Sequence, residues 1–587
     1  MKKKILIATP IKHVWPKNKG SNIVICSESA VLNYHNLKNE YKNFIISPNR
    51  WENKKRLLKD YKYLDRLYEK LLKDFSDKLN KIHSISENLN FWRVVLGPWL
   101  GNFIHIYFDR WKHIEGSLKK NDKYVTTILN LENNFLIPYD HSQFLQLSFN
   151  DYWNQSIYQN IIKNFPIELK KIKLSEKLIL RSIKKDNLDI RLKNFKTSLI
   201  NLAKKKANDL MNYKKYKYFF YKTYLSFKDE LKLSLKFNQF PILDVKKKYA
   251  QLENVDIKLR ETISFSKIKK SKFEKSLSKI LPLQIPRIFI ENFKDLTEFY
   301  KYANLPKKPK IIFTSNAAWF ETNIAYYIAK LKSKNTKLIY GQHGGNYSMP
   351  KILWPEDHEK KISDKFLSWG WKEKGSKVKS FYKFKNIKLE KAKNKELLIM
   401  LQNRKRYFFS MDSSGGTESW ACYIRYISSF LFNLSKKTKK KTILRLYNTN
   451  KIKTFDYYSN LEKKFNFRSS NSLVDAFSKS KIIVHTLLST SINDALNANH
   501  PSIIILRKDH NPMKADAKKI FNLLYESNVL FYDSIKAAKF IDHIWDKGVN
   551  EWWNNKKTQS ARVLFCNNFA KSNYEITQDL EKIFKKK

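Results

Sequence analysis

Cysteine and glycine are scarce in this chain of 587 residues, which contains three cysteines and twelve glycines. Cys26, Cys422 and Cys566 lie far apart and outside any Cys-x-x-Cys or Cys/His spacing. This pattern disfavours both a disulfide scaffold and a zinc finger. The cysteine usage therefore predicts a reduced, cytoplasmic setting.

Long hydrophobic runs are also missing. The apolar run near the N-terminus stops at Thr9-Pro10 after about four residues, well short of the roughly 7–15 residues of a signal peptide. The longest uncharged apolar stretch, 94–108, is interrupted by glycine and proline and is shorter than the ~20 residues of a membrane span. We therefore expect a first β-strand at the N-terminus and no transmembrane segment.

Acidic residues are few beside the basic ones: Asp+Glu number 54 and Lys+Arg 114, giving a net charge of +60. Such a charge fits a nucleic acid, an anionic membrane or an acidic substrate. However, only 16 of the basic residues are arginine, the residue whose planar fork usually reads bases and clamps phosphates. We therefore attribute most of the charge to compositional drift toward lysine, as in an AT-rich genome, and expect no nucleic-acid partner.

Apolar residues make up 42% of the chain and aromatic residues 14%, enough to bury sizeable cores in two or more domains. Short apolar, β-branched runs alternate with helical patterns in two series, which predicts parallel sheets of an α/β fold. The predicted strands are 4–9, 43–47, 126–130, 310–314, 337–341 and 365–369 in the first series and 396–401, 442–446, 481–486 and 502–506 in the second.

This pattern predicts two Rossmann-like domains that face each other, with ligands at the carboxyl ends of the strands. The N-terminal domain would comprise 1–150 and 281–385, and the C-terminal domain 386–587. Between the two N-terminal parts, 151–280 has apolar residues every three or four positions in a lysine-rich background, and we expect a mostly helical elaboration. A polar stretch at 372–395 is the predicted linker.

The segment GQHGG, residues 341–345, directly follows a predicted strand and holds three of the twelve glycines. Such a density indicates backbone with positive φ or a close approach to a ligand. His343 lies between these glycines, where a neutral imidazole can act as a general base or bind a phosphate oxygen. The alternative is a tight turn with a structural histidine. The segment lacks the Lys-Ser/Thr pair of a P-loop.

A second group of polar residues follows the strand 481–486 and opens a helix. Ser489, Thr490 and Ser491 would supply hydroxyl and N–H groups at a helix start, an arrangement suited to a diphosphate. Ser491 and Asp494 also have the spacing of a capping box, in which the acid only caps the helix. His485, at the end of the strand, either contacts a donor phosphate or satisfies the strand end.

Three arginines are candidates for phosphate recognition. Arg404 and Arg406 follow the predicted strand 396–401 and precede a glycine-rich helix start, where a solvated loop is the alternative. Arg445 lies on an interior strand, and a buried guanidinium needs an anionic partner. That partner is either a donor or a structural carboxylate.

Several motifs together resemble a known family. GQHGG is followed by His358-Glu359 and by SDKFLSWGW at 363–371, and further matching segments are WRVVLGPWL at 92–100, DRW at 109–111 and DYWN at 151–154. With these motifs the chain resembles the LIC family of bacterial transferases, which is associated with lipopolysaccharide and surface-polysaccharide biosynthesis. The resemblance runs from near the N-terminus to about residue 510 and is weakest at 160–278.

The resemblance implies a GT-B-like glycosyltransferase with a nucleotide-activated sugar donor, a glycan or lipid-linked acceptor, no cofactor and no donor-bound metal. In GT-B-like enzymes the loop at 489–494 has a Glu where this chain has Asp494, which is one methylene shorter. His343 is the predicted catalytic residue. The predicted donor-binding residues are Gln342, Gly344, Gly345, Arg404, Arg406, Arg445, His485, Ser489, Thr490, Ser491 and Asp494.

Two non-catalytic alternatives follow from the charge: a nucleic-acid-binding protein, and a peripheral membrane protein that docks on anionic lipid through the lysine-rich 160–280 segment. The second is compatible with catalysis, because acceptors for surface glycans are often lipid-linked. It would place the protein on the inner face of the cytoplasmic membrane.

Overall fold

A computed structural model describes most of the chain. The described residues are 3–31, 37, 40–131, 136–182, 211–242, 245, 255–265, 268, 270–389, 395–402, 405–414, 419–446, 458–468, 472–508, 512–573 and 575–585. Arg404 lies outside them.

The described strands form three sheets in which every strand pair is parallel. The first sheet has the order β3-β2-β1-β4-β5 and consists of β1 Lys4–Ile7, β2 Ile23–Ile25, β3 Phe44–Ile46, β4 Tyr124–Leu129 and β5 Ile167–Ile172. The second has the order β10-β9-β8-β7-β6 and consists of β6 Tyr218–Phe220, β7 Ile311–Thr314, β8 Lys337–Gly341, β9 Lys365–Ser368 and β10 Val378–Ser380.

The third sheet has six strands in the order β13-β12-β11-β14-β15-β16. They are β11 Glu396–Leu401, β12 Thr442–Leu446, β13 Asn466–Arg468, β14 Ser480–His485, β15 Ser502–Ile505 and β16 Leu530–Phe531. The central strands are almost completely buried because helices cover both faces, which explains their continuous apolar sequences. The predicted α/β class with parallel sheets is confirmed.

Helices connect and cover these sheets. They are α1 Lys54–Ile82, α2 Leu89–Val95, α3 Gly97–Ser117, α4 His141–Leu147, α5 Asp151–Ile162, α6 Phe227–Leu235, α7 Ile257–Glu261, α8 Lys272–Gln284, α9 Phe293–Tyr302, α10 Ala317–Phe320, α11 Thr322–Lys332, α12 Trp354–Ile362, α13 Trp420–Phe432, α14 Lys436–Lys441, α15 Ser459–Glu462, α16 Leu473–Ser478, α17 Thr490–Asn497, α18 Ala515–Glu526, α19 Ser534–Ile544, α20 Val549–Asn554, α21 Lys556–Phe569 and α22 Ile576–Lys585. Short 3-10 helices lie at Lys12–Val14, Glu28–Ala30, Arg50–Glu52, Tyr213–Lys215 and Arg287–Phe289.

The strands predicted for one N-terminal domain are divided between two sheets. Strands before residue 173 form the first sheet, and strands from 218 to 380 form the second. The two sheets share a hydrophobic core, whose centre is the nearly completely buried helix α3. The apolar stretch 94–108 therefore comprises the end of α2 and the buried first part of α3. Within the described ranges, no helix is both long and apolar enough to cross a bilayer.

The described part of the lysine-rich segment 151–280 is mostly helical but also contains two strands. It contains β5 and β6, each at the edge of a different sheet, as well as α5, α6, α7 and α8. The predicted linker at 372–395 likewise contains β10, another edge strand. The edge strands β5 and β10 are largely exposed and carry lysine, so their sequences lack the continuous apolar run that identifies a central strand.

Candidate functional site

The loop after β8 and the start of helix α17 meet at the carboxyl ends of two sheets. The N–H of Gly345 donates to Oγ1 of Thr490 over 3.1 Å. A Cβ on Gly345 would lie 2.3 Å from Oδ1 of Asn493 and 2.5 Å from Cα of Thr490. Glycine is required here because two backbones approach closely, and the structure thus brings two of the predicted groups together.

His343 lies in this loop against a buried phenol and a buried carboxyl group. The Tyr347 hydroxyl is 3.2 Å from Nδ1 of His343 and donates to Oε2 of Glu359 over 2.8 Å. Oε1 of Glu359 is 3.5 Å from the same Nδ1. Helix α12 supplies Glu359, and the ring of Tyr224 lies 5.6 Å from the His343 ring between centroids.

Burial controls the protonation of His343 and Glu359. It lowers the pKa of His343 to about 4, an effect opposed by a hydrogen bond with the Ser315 backbone. Burial also raises the pKa of Glu359 well above its usual range, and the carboxylate of Glu356 adds to that rise. His343 is therefore a neutral imidazole near pH 7, the form that a general base requires.

Gln342 is completely buried and ties two of the motif segments together. Its Nε2 donates to the carbonyl of Gly344, and its Oε1 accepts from the N–H of Trp369 and from Nε1 of Trp371. The side chain thus fixes the GQHGG loop to the segment 363–371. The structure thus gives Gln342 a role in shaping the loop.

Helix α17 begins at Thr490, with Ser489 as its N-cap residue. The Ser489 and Ser491 hydroxyls are 2.8 Å apart, and Ser491 Oγ is 3.1 Å from Nδ1 of the buried His485. Because Ser491 lies inside the first turn, the capping box expected for Ser491 and Asp494 does not form. Hydroxyl groups and helix N–H groups instead line one edge, as an anion site needs.

Asp494 forms a buried ion pair with Lys383. Lys383 Nζ is 2.5 Å from Oδ1 of Asp494, and both side chains are less than a tenth exposed. Burial raises the pKa of Asp494, and the charge of Lys383 opposes the rise. Lys383 also lies 5.7 Å from the Trp369 ring centroid. Lys383 cannot be predicted as a site residue from the sequence, because no local pattern distinguishes it from the other lysines.

His485 ends β14 and is completely buried. Burial lowers its pKa to about 3. Its Nε2 has no hydrogen-bond partner among the described residues. The contact with Ser491 is therefore the side-chain hydrogen bond that orients this neutral ring.

The predicted arginines lie in different environments. Arg406 donates to Oδ1 of Asp151 over 2.8 Å, so a carboxylate from the DYWN motif holds it. Arg445 is buried on β12, beside Met400 of β11 and Arg468 of β13. The loop that carries Arg406 and the strand that carries Arg445 thus belong to the same sheet edge as helix α17.

The DRW and DYWN motifs hold the loop that follows β11. Arg110 donates to Asp109 over 2.5 Å, to Oδ1 of Asn154 over 2.9 Å and to the carbonyl of Phe408 over 3.0 Å. Because Arg110 is almost completely buried, these bonds are protected from water. The motif residues therefore connect the N-terminal half of the chain to the third sheet.

Loop residues from the third sheet also contact the GQHGGN segment. Asn346 Nδ2 donates to Ser414 Oγ over 3.0 Å, and the Ser414 hydroxyl donates in turn to Asp412.

Over the described residues, no cluster of three or more His, Cys, Asp and Glu side chains has the geometry to bind a metal ion.

Comparison with known proteins gives one match over nearly the whole chain. The sequence model of the LIC12162 family transferases matches residues 4–584. No curated protein matches the sequence. The match agrees with the resemblance of the GQHGG, HE, DRW and DYWN segments.

Similar solved structures include MurG of Acinetobacter baumannii, with 9% identity, a TM-score of 0.28, and coverage of 51% of this chain and 80% of that one. The spinosyn rhamnosyltransferase SpnG complexed with spinosyn aglycone has 6% identity, a TM-score of 0.28, and coverage of 50% and 76%. The spinosyn forosaminyltransferase SpnP has 9% identity, a TM-score of 0.28, and coverage of 50% and 79%. These values are low, and the α/β class is established by the three parallel sheets of the chain itself.

Proposed function

This chain belongs to the LIC12162 family of transferases, and we propose that it moves a glycosyl group from a nucleotide-activated donor to an acceptor in bacterial surface-polysaccharide or lipopolysaccharide synthesis. The observation that carries the proposal is the contact between Gly345 and Thr490. Because of this contact, a neutral, half-buried histidine and the N-terminus of a helix lie at one junction between sheets. A transferase needs both a base and an anion site at the same place.

The donor diphosphate would bind at the carboxyl edge of the third sheet. Ser489, Thr490 and Ser491 offer hydroxyl groups and the N–H groups of the first turn of α17, which favour negative charge. Arg445 adds a positive charge at the end of β12. We propose that these groups, rather than a donor-bound metal, stabilise the charge that develops on the leaving diphosphate.

His343 would act as the general base on the acceptor hydroxyl. The proton moves from the acceptor oxygen to the imidazole as that oxygen attacks the sugar carbon and the bond to the diphosphate breaks. The Tyr347 hydroxyl lies against the His343 ring and donates to Glu359, so these two residues hold the ring in place. Because the site is buried, these electrostatic interactions are stronger than in water.

The acceptor would approach from the second sheet, beside Tyr224, and would be a glycan or a lipid-linked molecule.

Asp494 is paired with Lys383, and this ion pair leaves Asp494 little capacity to bind a donor hydroxyl unless the pair opens. Asp494 is thus proposed to orient Lys383 beside the diphosphate.

Turnover of purified protein with a panel of nucleotide sugars tests the proposal. Release of nucleoside diphosphate is measured for the wild type, for His343→Ala and for His543→Ala, which changes an exposed histidine on α19. We expect His343→Ala to reduce kcat by about 10²–10⁴-fold and the control to leave it unchanged. Equal rates for wild type and His343→Ala would exclude His343 as the base, and no turnover of any nucleotide sugar would oppose the donor class.

A further inference from the structure

Four large apolar side chains within residues 224–240 are strongly exposed. Tyr224, Phe227, Leu235 and Phe240 have 45%, 66%, 51% and 53% of their surface accessible. Single exposed apolar residues are common on soluble proteins, but a concentration within 17 positions of the chain marks an interaction surface.

Helix α6 carries part of this surface along the edge of the second sheet. It follows β6, the edge strand, and its inward side is fixed by the buried Leu233 against α22. At 100° per residue, Phe227, Leu231 and Leu235 form one stripe on the other side. The nine residues of α6 make this stripe about 13 Å long.

Lysine side chains accompany the apolar stripe. Lys228 and Lys232 are exposed and lie next to it on the helix, and Lys222 and Lys236 are exposed at its two ends. Lys222 is paired with Glu321 and Lys236 with Glu581. Aromatic and aliphatic side chains with adjacent lysines are typical of a surface that lies in the headgroup region of a bilayer.

One end of this surface reaches the candidate base. Lys222 and Tyr224 have φ values of +50° and +65°, the left-handed conformation that costs energy for residues other than glycine. The strained turn aims the Tyr224 ring at His343, and Asn316 fixes it by donating to the Tyr224 hydroxyl over 2.9 Å. Tyr224, whose ring faces the base, thus lies three positions before Phe227, the first residue of the stripe.

We propose that Tyr224, Phe227, Leu231 and Leu235, with Lys228 and Lys232, form a docking surface for an anionic lipid bilayer. The apolar side chains enter the boundary between headgroups and acyl chains, and the lysines contact anionic headgroups. A docked protein would present His343 to an acceptor anchored in that bilayer. This last point rests on the proposed function, whereas the docking itself does not.

Vesicle flotation of the full chain tests the surface. The probes are vesicles of phosphatidylcholine alone and vesicles in which part of it is replaced by phosphatidylglycerol. We expect the wild type to float only with the second kind. Phe227→Ser with Leu235→Ser should lower the bound fraction by about ten-fold or more, and Lys228→Glu with Lys232→Glu should remove the preference for phosphatidylglycerol.

The matched control is Val563→Ser with Leu564→Ser, which changes two exposed apolar residues of α21 and should leave flotation unchanged. An unchanged thermal melt shows that each variant is folded. A wild type that fails to float, or surface variants that float like it, would overturn the docking surface. Binding to DNA that phosphatidylglycerol vesicles do not compete for, and that the same variants lose, would assign the surface to nucleic acid and equally overturn it.

The two proposals fail separately. A protein that floats with phosphatidylglycerol vesicles but turns over no nucleotide sugar retains the docking surface and loses the proposed function. A protein that turns over a soluble donor and acceptor but does not float retains the function and loses the surface.

Discussion

His343 combines a depressed pKa with a position between two loops. Because burial lowers its pKa to about 4, the imidazole is neutral above that pH and becomes protonated only below it. The base is therefore present at pH 7 and is lost as the pH falls through about 4. We expect kcat/KM to be flat from pH 7 to 5 and then to fall about ten-fold per unit below 4.

The measurement is kcat/KM against pH for the wild type, with circular dichroism at each pH to show that the protein is folded. The His543→Ala variant should give the same profile. An acid limb near 6.5, the ordinary value for histidine, would show that burial does not control this residue in the active protein.

Glu359 and Tyr347 form a network behind His343 that sequence analysis did not assign to the site. Oε1 of Glu359 lies 3.5 Å from Nδ1 of His343, so this buried carboxyl group supports the orientation of the imidazole. We expect Glu359→Gln to lower kcat by about 10–100-fold with little change in KM, the size of effect seen when a supporting hydrogen bond is removed.

Steady-state kinetics of Glu359→Gln, Tyr347→Phe and Glu526→Gln would measure this effect. Glu526 is exposed at the end of α18 and is the control. If Glu359 acted only in folding, Glu359→Gln would lower the melting temperature while the kcat of the folded fraction stayed at the wild-type value.

At the scale of elements, helix α3 and helix α12 pack through glycine. A Cβ on Gly101 would lie 2.0 Å from Cζ2 of Trp354, a completely buried ring that has no room to move. A Cβ on Gly116, on the same helix, would meet no atom of the described residues within 4 Å. The two glycines of one helix therefore form a matched pair.

We expect Gly101→Ala to destabilise the protein by about 1–3 kcal/mol through overpacking, and Gly116→Ala to stabilise it by about 0.5–1 kcal/mol because alanine is the better helix former. Urea unfolding of both variants measures the difference. Equal effects would mean that the Gly101 contact relaxes without cost.

At the scale of the whole molecule, two carboxylates from loops of the first sheet cap helix α13 of the third sheet. Glu28 accepts from the hydroxyl of Ser419 and the N–H of Trp420, over 2.6 and 2.8 Å, and Glu52 accepts from the N–H of Ser419 over 2.7 Å. They occupy the N-terminus of α13, where negative charge is stabilising. Opening the molecule between these units must break these hydrogen bonds.

We expect Glu28→Ala with Glu52→Ala to lower the free energy of unfolding by about 1–3 kcal/mol, as for lost caps, and to speed hydrogen exchange at the start of α13. Hydrogen exchange with mass spectrometry localises the change, and Glu526→Ala is the control. Unchanged exchange at Ser419 and Trp420 would show that water replaces the carboxylates without loss.

Some features of this protein could be predicted from the sequence alone. The strands β8, β11 and β12 have the predicted bounds, because a central parallel strand is buried on both faces and its continuous apolar run reveals it. The break at Gly97-Pro98 follows from the missing proline N–H, and α3 does begin there. His343 and Thr490 could be placed after strand ends because the preceding strands, β8 and β14, are recognisable from their apolar runs.

Only the tertiary structure decided how these pieces meet. The edge strands β5, β6 and β10, the division into three sheets, and the pairs Lys383–Asp494 and Arg406–Asp151 were not visible in the sequence. Local patterns report whether a segment is buried, since burial requires apolar side chains along it. They do not report which distant charge a lysine or arginine meets, because an ion pair depends on two positions that the folded chain alone brings together.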